Sequence, residues 1–418
     1  MTEAVEVDQL TEDVIRSAAL PSWLERRKLD DLATFRDLPF PDSNRDEDWR
    51  KTDVSGIDLR AYSLPVAPGP NHAIAAELAA QGVTVSSLEE AAQTHAELVQ
   101  RYLEHEVVPA TAGKFAAYNA AFWRGGVFVH VPQGVTATVP VRTAFAFRDG
   151  GAGRQAILPR SLVVVEDGAS LVYTDEYGAA TTPSGGVALS SAVTEVVLGD
   201  NARIQYLVLQ EWPDDVDHVA THRIHVGRDS NAELVVAATG GHISKVYMEV
   251  SMLGSGSSAR ISGLIIGHGK QHFDYQSLQD HRAPNCVSDL LVKGALKDEA
   301  RSVYSGLIKI EKAAQHSDAY QANRNLLLSP RAKADSIPKL EIEANDVRCT
   351  HGATMGQVDA EQLFYLQSRG FSLEEAQNTL VHGFFQPVID RIALEEVRAR
   401  IHQSIDAELE GLQPEAAA

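Results

Sequence analysis

Cysteine is nearly absent from the 418 residues, with Cys286 and Cys349 the only two. Two thiols cannot build a disulfide framework, a four-thiolate zinc site or a cluster site from this chain alone, so a metal held here by thiolate needs ligands from elsewhere. Long apolar runs are missing as well. None approaches the roughly 18–20 residues that cross a bilayer, and the acidic residues 1–14 lack the basic start and apolar middle of a signal peptide. A cytoplasmic protein with no membrane partner is expected. Positive charge is in deficit, 37 Lys plus Arg against 57 Asp plus Glu for a formal −20. A chain so charged repels a phosphate backbone, which excludes nucleic acid as the expected partner. What the chain has in quantity is apolar surface, 44% of residues against 22% charged. That supports one large domain or two to three ordinary ones rather than disorder.

Three textures follow one another. Residues 1–122 are helical in pattern, with apolar residues at helical spacing over 87–105 and 114–122 and a linker signal at Pro65, Pro68, Gly69 and Pro70. Residues 123–353 are a succession of short alternating or β-branched runs, at 127–131, 162–165, 193–198, 204–209, 234–237, 261–266 and 340–344, which predict strands. Between them recurs a short turn built around an alanine, at Ala169, Ala202, Ala232, Ala259 and Ala300, with steps of 33, 30, 27 and 41 residues. A unit near thirty residues without intervening helix suits a solenoid, in which each coil buries its apolar face on the next. The expected fold is therefore mainly β, a right-handed parallel β-helix core flanked by helical regions, with a β-sandwich or jelly roll as the alternative.

Residues 354–418 are helical again. Asp359-Ala360-Glu361-Gln362 and Ser372-Leu373-Glu374-Glu375 have the form of helix starts, with Gly370 and Gly383 as the matching stops. A final helix is expected after Pro387, with Val388, Ile392, Val397, Ile401, Ile405 and Leu409 along one stripe.

Several chemistries fail on spacing. The stretch from Gly263 to Lys270 resembles a phosphate loop, but its glycines stand one residue too far apart and Gln271 replaces the required Ser or Thr. Gly254-Ser255-Gly256 is followed by an alternating run and so offers no helix N-terminus to a pyrophosphate. His218, His222 and His225, or His268 and His272, could share a strand face, yet neither group carries the His-Glu-x-x-His pattern of a hydrolytic zinc site, and a structural role is expected. The pair worth following is Cys349 and His351, two apart after an alternating run and so directed to one side if strand geometry persists. A soft thiolate beside a borderline imidazole suits zinc or iron–sulfur chemistry, but two ligands close no coordination shell. The bland reading is a small buried Cys349 and a turn-forming His351. No third group or oxyanion-hole motif supports nucleophilic catalysis, and no catalytic residue is assigned.

Five stretches together resemble a known family: Arg45-Asp46-Glu47-Asp48-Trp49-Arg50; Ser317-Asp318-Ala319-Tyr320-Gln321-Ala322-Asn323-Arg324-Asn325; Pro338-Lys339-Leu340-Glu341-Ile342; Cys349-Thr350-His351-Gly352-Ala353-Thr354; and Glu361-Gln362-Leu363-Phe364-Tyr365-Leu366 with Arg369-Gly370. The chain is similar to the SufB/SufD family of iron–sulfur cluster assembly proteins, and the Cys-x-His form resembles the SufD branch. The resemblance implies a β-helix core and a non-enzymatic scaffold subunit. It pairs with a SufB paralogue through the β-helix ends, or with itself as a homodimer when isolated. It docks the ATPase SufC through residues 354–418, and shares a transient iron–sulfur cluster with SufB while binding none alone. His351 matches the family histidine at the SufB–SufD interface, with Cys349 its neighbour as a shared ligand. Phe364, Tyr365, Leu366, Phe371, Phe384 and Phe385 become candidates for ATPase contact or for packing the lobe. The competing function is a β-helix enzyme acting on an acidic polysaccharide, which would ordinarily be exported.

Overall fold

The computed structural model describes residues 10–65, 76–104, 107–147, 153–178 and 186–409. Pro68, Gly69 and Pro70 of the expected linker, and His105 at the end of an expected helical stretch, lie outside the described residues. The core is a parallel β-solenoid of about seven turns with helices on both sides of it in sequence. Its strands alternate between two sheets. One sheet runs from Thr84–Ser87 through Val127–Val131, Arg160–Val165, Ala188–Leu198, Val216–Val226, Ile243–Met252, His272–His281 and Arg301–Ile310 to Lys333–Ile342. The other runs from Val141–Phe145 through Ser170–Gly178, Arg203–Glu211, Asn231–Ala238, Ser258–Gly267, Val287–Leu296 and Asp318–Leu327 to Arg348–Gln357. Only the pairing of Thr84–Ser87 with Val127–Val131 is antiparallel among the described strands.

Register explains the repeat. Arg203 pairs with Asn231, Asn231 with Ser258, Ser258 with Val287, Val287 with Asp318 and Asp318 with Arg348, so each coil advances 27–31 residues. The corner of each coil is marked not by an alanine but by a residue in the left-handed region: Gly168, Asn201, Asp229, Gly256, Asn285 and His316, with φ between 56° and 74°. Glycine and short polar side chains tolerate that conformation, which is why these types recur there. The residue after each corner is small and buried: Ala169, Ala202, Ser230, Ser257, Cys286 and Ser317. The expected alanine repeat was therefore two residues out of phase at Ala232 and Ala259, and Ala300 belongs to a corner of the other sheet, after Asp298 at φ 56°. Cys286 is fully buried in this small-residue column, its Sγ 3.3 Å from Ser257 Oγ.

Helices from the N-terminal region close one side. Ser22–Asp37 packs on Lys114–Phe122 through Phe35, Tyr118 and Phe122, and Lys28 Nζ donates to the Trp123 carbonyl at 2.7 Å. The expected helical stretch 87–105 divides into Leu88–Thr94 and Ala96–Glu104.

The C-terminal helices differ from expectation in two places. Gly383 stops nothing, because Leu373–Ile389 runs through both it and Pro387. Proline lacks the N–H that would bond the carbonyl four residues back and its ring crowds that carbonyl; here the residue four back is Gly383, whose backbone can yield. The last helix, Glu395–Leu409, starts after a short connection instead of at Pro387. The stripe from Val388 to Leu409 is buried as one cluster, but it is split over two helices and the connection between them, which pack on Leu207, Val235, Leu264 and Leu291 on the outer face of the second sheet. Around this seam Arg400 Nη1 meets Glu176 Oε2 at 2.6 Å, and Arg391 Nη2 meets Asp289 Oδ2 at 2.7 Å.

Candidate functional site at the open end of the solenoid

The inward columns of a solenoid are continuous stacks, and among the described residues the last coil has nothing stacked beyond it. In the second sheet one inward column runs Ala232, Ala259, Ser288, Ala319, Cys349, and the next runs Tyr206, Leu234, Ile261, Leu290, Gln321, His351. In the first sheet Ile308 and Ile310, both fully buried, are followed by Leu340 and Ile342. Within the last coil these positions come out into solvent: Leu340 is 37% exposed, Ile342 42% and Met355 55%. Neither Lys333–Ile342 nor Arg348–Gln357 contains a buried residue, and both are edge strands whose backbone groups on one side find no strand among the described residues.

Cys349 and His351 thus stand on the inward side of an uncovered coil. Cys349 is half-buried and packs beside Ile308, Ile310, Ala319 and Ala344, while His351 is exposed. Burial, and secondarily the Asp318 carboxylate, push the Cys349 thiol up from its ordinary range. The thiol therefore stays protonated in the free chain, and ligation requires an incoming cation or partner charge to displace that proton. No group of three or more His, Cys, Asp or Glu side chains converges as a metal site among the described residues, so this pair can contribute to a coordination shell but not complete one.

The other histidines weighed from the sequence are engaged within the fold. His218 and His222 share the interior face, where His222 Nδ1 lies 2.8 Å from Tyr206 Oη and His218 Nδ1 lies 3.1 Å from Ser190 Oγ; burial drives both down to about 3. His225 falls on the opposite face. His272 Nε2 meets Thr52 Oγ1 at 2.9 Å, and His268 pairs with Glu408. Gly263 lies inside strand Ser258–Gly267, so the loop-like glycines there cradle nothing.

Sequence reasoning assigned no geometry to the Arg45–Arg50 motif, and the structure makes it a strap across the outer face of the first sheet. Lys245 Nζ donates to the Asp48 carbonyl at 2.6 Å and to Asp274 Oδ2 at 2.7 Å, beneath the Trp49 ring, which itself stacks on Phe115 at 5.5 Å. The strap ends on the outermost strand: Glu47 Oε1 lies 2.5 Å from Lys339 Nζ, and Lys51 Nζ lies 3.5 Å from Asp335. The signal for it was the density of charge around a tryptophan, which needs an aromatic and a cationic partner elsewhere.

The aromatic candidates of the C-terminal lobe separate into two groups. Helix Ala360–Ser368 has no buried residue; Phe364 is 73% exposed, Tyr365 57% and Phe371 41%, with Leu366 half-buried. Phe385 is fully buried and Phe384 packs against the same cluster under Lys293, so these two serve the lobe's own packing. No helix among the described residues is long and apolar enough to cross a membrane.

Comparison with known proteins agrees with this geometry. Residues 147–384 match the family described as SUF system FeS cluster assembly, SufBD core domain, and residues 70–143 match the SufBD protein N-terminal region. The chain is 28% identical to the iron-sulfur cluster assembly protein SufD of Bacillus subtilis, over 92% of this chain and 94% of that one. It is 29% identical to an iron-sulfur cluster assembly SufBD family protein of Staphylococcus aureus, over 97% of this chain and 85% of the relative.

Proposed function

This chain belongs to the SufBD family of the SUF iron–sulfur cluster assembly system, and from that premise we propose that it is a non-catalytic scaffold subunit of the SufD kind. It pairs through its open solenoid end with a SufB-type paralogue and, through residues 354–418, docks the ATPase SufC. The observation that carries this reading is the uncovered last coil. Two edge strands and a row of inward-type residues, Leu340, Ile342 and Met355 among them, lie exposed where a second solenoid would extend the stack. A chain expressed alone covers the same surface with a second copy of itself.

The nascent cluster is cargo on this surface. His351 and Cys349 supply an imidazole and a thiol from one side, the paralogue supplies the remaining soft ligands, and binding of the cluster releases the thiol proton. The exposed Phe364, Tyr365 and Phe371, with the half-buried Leu366, are the surface offered to the ATPase, on and just beyond a helix with no buried residue of its own. Nucleotide-driven movement of two ATPase subunits then favours one arrangement of the solenoid interface over another, and cluster assembly follows that shift.

The test is co-expression with SufB-type and SufC-type partners, isolation of the complex, and anaerobic cluster reconstitution. A stable complex is expected. His351→Ala leaves the fold and complex intact and lowers cluster yield severalfold or more. Failure to form any complex overturns the scaffold reading, and a normal cluster yield from the variant removes His351 from the ligand set.

A further inference from the structure

The C-terminal helix hairpin holds a pair of imidazoles that the scaffold reading does not use. His382, on Leu373–Ile389, and His402, on Glu395–Leu409, meet Nδ1 to Nδ1 at 2.9 Å. Their ring centres are 5.1 Å apart and the planes differ by 27°. That separation is close to the nitrogen–nitrogen distance plus two ring radii, so the rings meet edge to edge with the two nitrogens facing each other. On its far side His382 Nε2 lies 2.7 Å from Asp406 Oδ1.

The proton inventory is tightly constrained. An ionised carboxylate only accepts, so His382 carries its proton on Nε2 and turns the lone pair of Nδ1 toward His402. Two facing lone pairs repel unless something positive lies between them. One proton can do so, but so can a metal ion. Metal–imidazole bonds of about 2.0–2.1 Å at a tetrahedral angle set ligating nitrogens about 3.3 Å apart, so a metal enters by widening the 2.9 Å contact by a few tenths of an ångström and turning the two rings until their lone pairs converge. The carboxylate behind the ligating ring is the arrangement that orients histidines at metal centres and raises their basicity. In the metal-free chain the proton between the nitrogens is the Nδ1–H of a neutral His402, donated to His382 Nδ1 at 2.9 Å, and a metal takes its place when His402 carries its one proton on Nε2 instead. Access is open, with His382 25% and Asp406 61% exposed.

We propose that His382 and His402, positioned by Asp406, form a binding site for one borderline divalent first-row cation, of the zinc, cobalt or nickel class, that joins the two helices. Two nitrogen donors exclude magnesium and calcium, which demand oxygen ligands. Because no third protein ligand converges there among the described residues, water completes the shell and the site is an exchangeable one. The inference does not depend on cluster assembly, since neither Cys349 nor His351 takes part in the site.

The test uses the full-length chain stripped with chelator, titrated with zinc by calorimetry and with cobalt by its visible absorption. One equivalent is expected at this site. His382→Gln and His402→Gln each remove it, while His316→Gln, at an exposed histidine paired with Asp346, leaves it in place. Asp406→Asn weakens zinc binding roughly tenfold or more, as loss of an outer-shell carboxylate does. Retention of the equivalent in both glutamine variants, or absence of a cobalt spectrum in the unaltered chain, overturns the proposal. Should a glutamine variant lose its helical signal, Asp406→Asn decides the matter, because unchanged zinc affinity there is equally fatal.

Discussion

The two ends of the solenoid are built from the same strand type and finished in opposite ways. At the N-terminal end the first sheet is closed by an antiparallel strand, Thr84–Ser87, and backed by helices, so that Val127, Phe128 and Val129 are fully buried. At the C-terminal end the last coil keeps the inward sequence pattern but has no cover among the described residues, and Leu340, Ile342 and Met355 are exposed. Apolar inward positions and strand edges without a neighbour among the described residues mark a solenoid end that lacks the polar outer face of a capping unit. The difference teaches where the molecule spends its own stability and where it leaves apolar surface uncovered.

That contrast can be broken most forcefully with charge. Near the capped end Arg160 and Glu195 form an ion pair with side chains 3% and 1% exposed, Nη2 to Oε2 at 2.8 Å, and Glu195 also accepts the Val108 N–H. Glu195→Ala leaves a buried guanidinium without its counter-charge and is expected to cost about 3–5 kcal/mol in urea unfolding. The matching change at the open end, Asp318→Ala, removes the partner of Arg348 at 3.4 Å in a pair 48% and 80% exposed. It costs less than about 1 kcal/mol in the same measurement. Equal costs would mean that the ends do not differ in self-sufficiency.

Acid sharpens the comparison, because the interior carries neutral histidines and the last coil does not bury any. Burial drives His218 and His222 down to about 3, and His272 and His281 to about 4. Each folded value lies below the unfolded value near 6.5, so on acidification the unfolded chain takes up the proton first. Stability is complete above about pH 6.5 and falls as the pH drops from there toward 3, by about 1.4 kcal/mol per pH unit for each histidine. His281→Gln, at a ring bonded to Ser288 Oγ at 2.8 Å, makes that decline shallower between pH 6.5 and 4. An unchanged slope would show that the ring takes up its proton as readily in the folded chain as in the unfolded one.

Much of this was legible in the chain, and what escaped has physical reasons. Strands announced themselves at 127–131 and 204–209 because β-branched and alternating runs favour a pleated, half-buried surface irrespective of their neighbours. The coil period was legible only approximately, since the eye fell on alanines, while the corner is set by left-handed residues such as Asn201 and Asp229, which one-dimensional spacing does not distinguish from ordinary turns. Gly383 and Pro387 misled because each is a helix breaker alone, and only together, four residues apart, do they coexist in one helix. Cys349 and His351 were legible as a pair, but their exposure depends on the absence of a following coil. The strap from Glu47 to Lys51 showed only as charge gathered around a tryptophan, and its path was not legible because its partners Lys245 and Lys339 lie about 200 to 300 residues away.

The smallest effect on the free chain belongs to the residue expected to matter most in the assembly. Leu340 is already 37% exposed in the folded chain, so Leu340→Asp changes little that folding alone controls, and its unfolding midpoint should shift by less than the equivalent of about 0.5 kcal/mol. In a complex that covers the open end, the same carboxylate enters an apolar contact without a partner, and desolvating it costs several kcal/mol. Pull-down of a SufB-type partner should therefore fail with Leu340→Asp although its thermal unfolding matches that of the unaltered chain. A large loss of stability in the free variant would mean that Leu340 already packs within a closed coil. Undiminished pull-down would place the partner elsewhere on the solenoid.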